Sequence, residues 1–139
     1  MRFWDSSALL PLLLDEGRSS DVLGLYDEDP NQTVWCLTEV EVASAIARKV
    51  RDGMNTVREN AARSQLEILS ARWEEVSSLQ AVRARALRLL STHSLRSGDA
   101  LQLAAALVFC DERTESLPFV CLDDRLAESA RKERFPVLP

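Results

Sequence analysis

Short apolar segments alternate with longer helical patterns along this chain, and the alternation restricts its fold more than any other feature. The segments that read as strands are Arg2–Trp4, Thr33–Cys36, Phe119–Leu122 and Val137–Leu138, with a minor one at Trp73–Val76. Buried parallel strands are short apolar runs, and parallel strands are joined by crossover connections that usually contain a helix. The pattern therefore predicts an α/β fold of three layers, α/β/α, around a central parallel sheet of four or five short strands.

Six segments are predicted to be helices; two of them, Glu39–Asp52 and Leu79–Thr92, have apolar residues at helical spacing, and Val57–Arg72 is polar. The six segments are Ala8–Leu14, Glu39–Asp52, Val57–Arg72, Leu79–Thr92, Ala100–Cys110 and Arg125–Glu133. Pro11 is expected in or just after the first turn of its helix, where a missing N–H costs least. Gly53 is expected to end the second helix. The segment ALQLAAALVFC is apolar nearly all round, which is typical of a helix buried on more than one side.

The apolar start of the chain, MRFWDSSALLPLLL, has two interpretations. A secretory signal needs an uninterrupted apolar core followed by a small-residue cleavage site. Asp5, Ser6 and Ser7 divide the apolar residues into two pieces, so we predict instead the first strand and helix of one domain over residues 1–139. No segment is long enough to span a membrane. Three cysteines without a CxxC pair then predict reduced thiols and a cytoplasmic location.

The net negative charge of the chain limits how it can bind a polyanion such as nucleic acid. The net charge is −5, which argues against strong non-specific binding of nucleic acid through bulk electrostatics. It does not exclude a nuclease, because an acidic active site itself contributes several of these charges.

Four acidic residues stand at junctions between predicted elements. Asp5 follows the first strand, Glu41 lies in the first turn of a helix, Asp99 opens the apolar helix, and Asp123 follows Phe119–Leu122. In an open parallel sheet the carboxyl ends of the strands lie along one edge, where ligands bind. Carboxylates gathered there repel one another, and a divalent cation removes that repulsion. Oxygen ligands suit Mg²⁺ or Mn²⁺, so the sequence predicts such a site.

Each of these acids also has a simpler interpretation as a helix cap. Acidic residues favour helix N-termini because they satisfy free N–H groups and complement the helix dipole. Asp5 and Asp123 are possible N-caps, and Thr38-x-x-Glu41 is a possible capping box. Capping alone does not explain why Asp99 stands at the mouth of the most apolar helix. Both interpretations remain open for each residue.

Four motifs contain the acids and their neighbours. In chain order they are Asp5–Leu9 (DSSAL), Leu37–Val42 (LTEVEV), Leu95–Ala104 (LRSGDALQLA) and Phe119–Leu126 (FVCLDDRL). These motifs resemble those of PIN-domain ribonucleases, particularly the VapC toxins of bacterial toxin–antitoxin pairs. Their order and spacing fit the family over essentially the whole chain. In the last motif, Arg125-Leu126 favours Asp123 over Asp124 as the site residue.

The resemblance implies a Mg²⁺-dependent endoribonuclease that hydrolyses RNA phosphodiester bonds. Its catalytic and metal-binding residues would be Asp5, Glu41, Asp99 and Asp123. The cation, Mg²⁺ or Mn²⁺, would polarise the phosphate, lower the pKa of a bound water and stabilise the leaving oxygen. Ser7 either hydrogen-bonds a ligand or the scissile phosphate, or serves as a helix N-cap. Arg96 is the best candidate for a phosphate contact, because its loop leads straight to Asp99.

The resemblance also implies partners: an RNA substrate, a small antitoxin whose C-terminal segment covers the active site, and a second copy in a homodimer. Two residues depart from the family pattern. Cys121 stands where threonine or serine is usual, which replaces a hydroxyl by a weaker donor. Gln102 replaces a common histidine.

Other assignments compete with this one. The main alternative is a PIN-fold protein-binding module with little or no catalysis. A phosphoryl-receiver domain would have paired acids at the first strand, whereas Asp5 has no acidic neighbour. A protein with a phosphate-binding loop would have a G-x-x-x-x-G-K-[ST] motif, which the sequence does not contain. Arg85 with Arg88, and Arg48 with Lys49 and Arg51, are candidate substrate contacts or simply solvated helix faces. His93, the one histidine, is expected at a helix end.

Overall fold

A five-stranded parallel sheet forms the centre of the protein. The computed structural model describes residues 1–15 and 17–139, and within them the strands are β1 (Arg2–Trp4), β2 (Gln32–Trp35), β3 (Glu74–Val76), β4 (Phe119–Val120) and β5 (Val137–Leu138). Every pairing is parallel, and the strand order is β3-β2-β1-β4-β5. The predicted α/β class and three-layer architecture are confirmed.

Seven α-helices of the described residues connect and cover the strands. They are α1 (Ser6–Leu13), α2 (Ser19–Glu28), α3 (Thr38–Arg51), α4 (Thr56–Ser70), α5 (Leu79–Thr92), α6 (Ser97–Phe109) and α7 (Asp124–Lys132). A short 3₁₀ helix covers Thr114–Ser116. Across residues 1–15 and 17–139, no helix has the length and apolar character needed to cross a bilayer.

The start of α1 differs from the prediction. The helix begins at Ser6, two residues early, because the carboxylate of Asp5 accepts the backbone N–H of Ser7 and so caps the helix. Pro11 consequently lies inside the helix, where it has no N–H to offer the carbonyl of Ser7. Helix α2 was not predicted; Gly24 interrupts its apolar pattern.

The predicted capping box at Thr38-x-x-Glu41 is wrong. Leu37 occupies the N-cap position of α3, and no side chain caps this helix. Thr38 is the first helical residue, and its hydroxyl instead accepts a hydrogen bond from the side chain of Gln102 in α6. Gly53, at φ +107°, follows the end of α3 as expected for a glycine at a helix terminus.

Alternate residues of each strand face opposite layers of the core, as the two-residue period of a strand requires. Phe3, Trp35 and Phe119 pack against α5, α6 and α7 on one face. Trp4 and Val34 pack against α1 to α4 on the other. The rings of Phe3 and Phe119 are stacked with centroids 5.3 Å apart, which adds to the stabilisation from their burial.

The order of the strands reverses at β1, which lies between β2 and β4. In chain order, β2 and β3 lie on one side of β1, and β4 and β5 lie on its other side. Trp4 pairs with Val120, and the backbone N–H of Asp5 donates to the carbonyl of Val120 over 3.0 Å. The residues that follow β1 and β4 are therefore neighbours at the switch point, where open α/β sheets bind their ligands.

Candidate active site

The four predicted carboxylates line one depression at the carboxyl ends of the strands. Asp5, Glu41, Asp99 and Asp123 border a volume of about 530 Å³, together with Ser6, Ser7, Leu10, Val40, Ser44, Ala45 and Arg48. Helices α1 and α3 come from one face of the sheet, and α6 and α7 come from the other. The switch point therefore brings together acids that are up to 118 residues apart, from Asp5 to Asp123.

Asp5 is the most buried of the four, with 3% of its surface exposed. Burial raises its pKa from 3.8 to about 6, against the opposing effect of hydrogen bonds from Ser7, and the charges of Glu41 and Asp99 raise it further. The cap interpretation is correct for this residue, since Oδ2 accepts the N–H of Ser7. Capping engages that one oxygen, so the other remains available at the depression.

Ser7 connects Asp5 to the end of β4. Its hydroxyl donates to Oδ2 of Asp5 over 2.5 Å and accepts the backbone N–H of Leu122 over 3.0 Å. The sulfur of Cys121 lies 3.8 Å from the same carboxylate oxygen, and burial raises the pKa of this thiol. Ser7 is therefore not the N-cap of α1; it is the hydroxyl that orients Asp5.

Glu41 is the fourth residue of α3 and is half-buried. Its Oε2 accepts the hydroxyl of Ser6 over 2.9 Å. Burial raises the pKa of Glu41, hydrogen bonds from Ser6 and Gln102 lower it, and the charge of Asp99 raises it. Hydrogen bonds of this kind hold a carboxylate in a defined orientation when it binds a metal.

Asp99 and Asp123 complete the group from the other side of the sheet. Asp99 is the third residue of α6, and its pKa is raised by burial and by the nearby charge of Asp123. Asp123 is the N-cap of α7, where Oδ1 accepts the N–H of Leu126 over 2.8 Å. Its neighbour Asp124 is absent from the lining of this depression. Only the former of the two adjacent acids thus faces Asp5.

The four side chains share a depression without forming a closed cage. Among the described residues, no three histidine, cysteine, aspartate or glutamate side chains are close enough to bind one metal ion together. The raised pKa values of Asp5, Glu41 and Asp99 show that each charged form is disfavoured by burial and by its acidic neighbours. A set of carboxylate and hydroxyl oxygens of this kind fits a hard divalent cation such as Mg²⁺ or Mn²⁺.

The arginines predicted to hold substrate lie in different places. Arg96 is the N-cap residue of α6 and borders a second depression that shares Asp99 and Asp123 with the first. Arg85 forms ion pairs with Glu112 at 2.7 Å and with Glu133 at 3.4 Å. Glu112 lies beyond the C-terminal end of α6, whereas Asp99 lies at its start. Arg85 is therefore remote from the carboxylates and has a structural role.

Two other features also lie away from the four acids. His93 is the C-cap residue of α5, as predicted, and its Nε2 lies 2.7 Å from Oε1 of Glu133. A depression of about 640 Å³ lies beside Met1 and the end of α6. Its lining mixes Arg113 and Arg134 with acidic residues and contains none of the four carboxylates, so it does not compete as the site.

Two residues of the site, Ser6 and Gln102, have roles that are not predicted from the sequence, and a third, Arg48, is among the predicted candidate substrate contacts. Ser6 belongs to the DSSAL motif, and a serine directly after Asp5 is a possible hydrogen-bond donor. Gln102 departs from the family pattern, and its position three residues after Asp99 places it one helical turn along the same face. Arg48 lies seven residues after Glu41, two turns along one face, and this spacing was a usable signal.

A known family model matches most of the chain. The family model described as the PIN domain matches residues 2–132, which include all four carboxylates. No curated protein matches the chain.

Proposed function

The chain belongs to the PIN-domain family, whose members are in general metal-dependent nucleases, and we propose that it is an endoribonuclease that uses Mg²⁺ or Mn²⁺. The proposal is supported above all by the meeting of Asp5, Glu41, Asp99 and Asp123 in one depression at the switch point of the sheet. A ligand site at this place is what the topology favours. We further propose that these four residues hold the cation.

The chain's own residues account for how the cation would be held. Asp5 keeps one oxygen fixed by Ser7 and presents the other, and Glu41 is oriented by Ser6. When bound, a divalent cation would supply polarisation of the phosphodiester and activation of water for hydrolysis. Repulsion among the carboxylates contributes, after burial, to the raised pKa values of Asp5, Glu41 and Asp99, and the charge of a bound cation would offset that repulsion.

The more specific part of the proposal is that the protein is the toxin of a VapBC-type pair. This rests on the resemblance of its four motifs to those of VapC toxins. The corresponding partners are an RNA substrate, a small antitoxin whose C-terminal segment covers the depression, and a second copy of the chain in a homodimer. A cytoplasmic location is also part of the proposal, in keeping with the free thiols of Cys36, Cys110 and Cys121.

The alternative function is a PIN-fold protein-binding module with little or no catalysis. The two functions differ in what they require of Asp5 and Asp99. A nuclease depends on their negative charge, whereas a binding module does not.

The test is cleavage of RNA by the purified protein with Mg²⁺ or Mn²⁺ and with a chelator. We expect metal-dependent internal cleavage that falls about 100-fold or more in Asp5→Asn and Asp99→Asn, an effect of the size seen when one charge-stabilising group is removed. Asp123→Asn should behave in the same way. Asp27→Asn is the control, since this exposed acid lies in α2 and borders neither the depression nor the residues next to it.

The toxin assignment needs a separate experiment in cells. Expression in bacteria should arrest growth, co-expression of the adjacent small open reading frame should relieve the arrest, and Asp5→Asn should abolish it. Cleavage in vitro without growth arrest would support the ribonuclease function and reject the assignment as a toxin. Cleavage that persists in a chelator and in Asp5→Asn would reject the metal-dependent mechanism.

A further inference from the structure

Two depressions lie side by side at the carboxyl ends of the strands and share a wall. The first is the one that contains the four carboxylates. The second has a volume of about 480 Å³ and is bordered by Arg96, Leu122, Asp124 and Arg125. Asp99 and Asp123 border both of them. The shared wall is thus formed by two of the proposed ligands.

Each depression is also bordered by exposed arginine. Arg48 lies in the first, and Arg96 and Arg125 lie in the second. All three are exposed, and none has a carboxylate within ion-pair distance in the part of the chain that the structure describes. Unlike Arg2 and Arg85, whose charges are engaged by glutamates, these arginines are available to a ligand.

Local structure fixes where these arginines stand. Arg48 is seven residues after Glu41, so it lies two helical turns along the same face of α3. Arg96 and Arg125 flank the N-termini of α6 and α7, and their charges act on Asp99 without forming an ion pair with it. The acids therefore lie between one arginine on the α3 side and two on the α6 and α7 side.

A polyanion that approached the acids alone would be repelled, so positive charge beside them is needed to hold it. The guanidinium group is always charged, and its fork of donors matches phosphate oxygens. We propose that one strand of RNA crosses the shared wall, with a phosphate held by Arg48 on one side of the cleaved bond and a phosphate held by Arg96 and Arg125 on the other. This inference rests on the proposed ribonuclease function.

The arrangement has a consequence for the substrate. Two separate phosphate contacts, one on each side of the scissile linkage, require nucleotides on both sides of it. Cleavage is therefore internal, and the terminal linkage of a strand is a poor substrate. A neutral methylphosphonate placed on either flank of the cleaved linkage removes one contact and should slow cleavage.

The first experiment measures RNA binding without cleavage. A fluorescent 12-nucleotide single-stranded RNA of mixed sequence is titrated with the Asp5→Asn protein at several KCl concentrations, and the affinity is followed by anisotropy. We expect Arg48→Gln, Arg96→Gln and Arg125→Gln each to weaken binding. Arg48→Gln should reduce the slope of log affinity against log salt by about 0.7, the value for one phosphate contact on a single strand, and the double variant Arg96→Gln/Arg125→Gln should reduce it by the same amount, because these two arginines share a phosphate. Arg58→Gln and Arg131→Gln, which are exposed and border neither depression, are the controls.

The second experiment assigns each arginine to a flank. Once the cleaved linkage of an RNA has been mapped, single methylphosphonates are placed on its 5′ and 3′ sides. Arg48→Gln should lose sensitivity to the neutral linkage on one side only, and Arg125→Gln to that on the other side only. Equal sensitivity of all variants to both substitutions would overturn the proposal.

The outcomes separate this inference from the ribonuclease function itself. Metal-dependent cleavage with arginine variants that behave like the controls would leave the ribonuclease intact and remove the two-sided contact. Weakened RNA binding in the arginine variants without any cleavage would support the arginines as phosphate contacts, but would reject the nuclease and with it their assignment to the two flanks of a cleaved linkage. No measurable binding of RNA at low salt would overturn the inference.

Discussion

The side-chain amide of Gln102 donates a 3.0 Å hydrogen bond to the hydroxyl oxygen of Thr38, and both side chains are fully buried. Thr38 precedes Glu41 by one turn of α3, and Gln102 follows Asp99 by one turn of α6. This bond therefore joins the two helices that carry Glu41 and Asp99, and it holds them together next to the depression. The amide oxygen of Gln102 has no partner among the described residues.

This buried pair predicts strong coupling between substitutions. Thr38→Val removes the acceptor and leaves an N–H of the Gln102 amide buried, which we expect to lower the free energy of unfolding by about 1–3 kcal/mol. The double variant Thr38→Val/Gln102→Met removes donor, acceptor and the unpaired oxygen together, but also the hydrogen bond of Gln102 to Glu41, and should recover part of that loss. Urea denaturation measures both. Losses that simply add in the double variant would show that the bond contributes nothing.

The raised pKa of Asp5 predicts how the free energy of unfolding of the metal-free protein depends on pH. Because its folded pKa is raised from 3.8 to about 6, the folded state prefers the protonated form. The penalty is absent below pH 3.8, grows as the pH rises between these values, and is complete above about pH 6, where it amounts to about 3 kcal/mol. Asp5→Asn removes this penalty and keeps a good N-cap for α1.

We therefore expect Asp5→Asn to stabilise the metal-free protein at pH 7.5 by about 1–3 kcal/mol, and not to stabilise it at pH 4. Chemical denaturation in a chelator at the two pH values makes the comparison. Asp124→Asn, an exposed acid, should change stability by about 0.5 kcal/mol or less at both. An Asp5→Asn protein that is less stable than the wild type at pH 7.5 would contradict the effect of burial.

Binding of Mn²⁺ should raise the melting temperature of the wild-type protein by mass action. At a concentration 100-fold above the dissociation constant, the gain in free energy of unfolding is about 2.7 kcal/mol. Asp99→Asn should lose the shift, and Asp124→Asn should keep it. The affinity of the protein for Mn²⁺ should fall about tenfold for each pH unit below 6, because Mn²⁺ must displace the proton of Asp5. No shift at millimolar Mn²⁺ would reject the proposed ligand set.

Ser7→Ala tests the connection between Asp5 and β4. The change leaves the N–H of Leu122 without its partner and removes a hydrogen bond from Asp5, so we expect a loss of about 1–2 kcal/mol in the free energy of unfolding. It should also raise the pKa of Asp5 further, since the Ser7 hydroxyl lowers it. The pH titration of Asp5 by NMR would show this. Ser44→Ala, at an exposed serine in the same depression, is the control.

Much of the architecture was readable from local patterns. The strands at Arg2–Trp4 and Val137–Leu138 and the helix at Leu79–Thr92 agree with the predicted bounds, because their apolar spacing is undisturbed. The boundaries that differ from the prediction depend on side-chain hydrogen bonds. Asp5 caps α1, so this helix begins earlier than predicted. The hydroxyl of Thr38, which a capping box would require, accepts a hydrogen bond from Gln102 instead. Local preference gives way wherever a tertiary partner satisfies the same polar group.

The sequence by itself determined that strands and helices alternate and that acids follow the strands, since both properties depend on neighbouring residues and on the direction of parallel strands. The tertiary structure decided which groups meet. The placement of β4 beside β1 joins Ser7 to Leu122, and the packing of α6 near α3 joins Gln102 to Thr38. The same packing places Arg85 in an ion pair with Glu112, and it places Arg48 in the depression with the four acids. These contacts depend on the order of the strands and on helix packing, which join residues distant along the chain and leave no periodic signal in it.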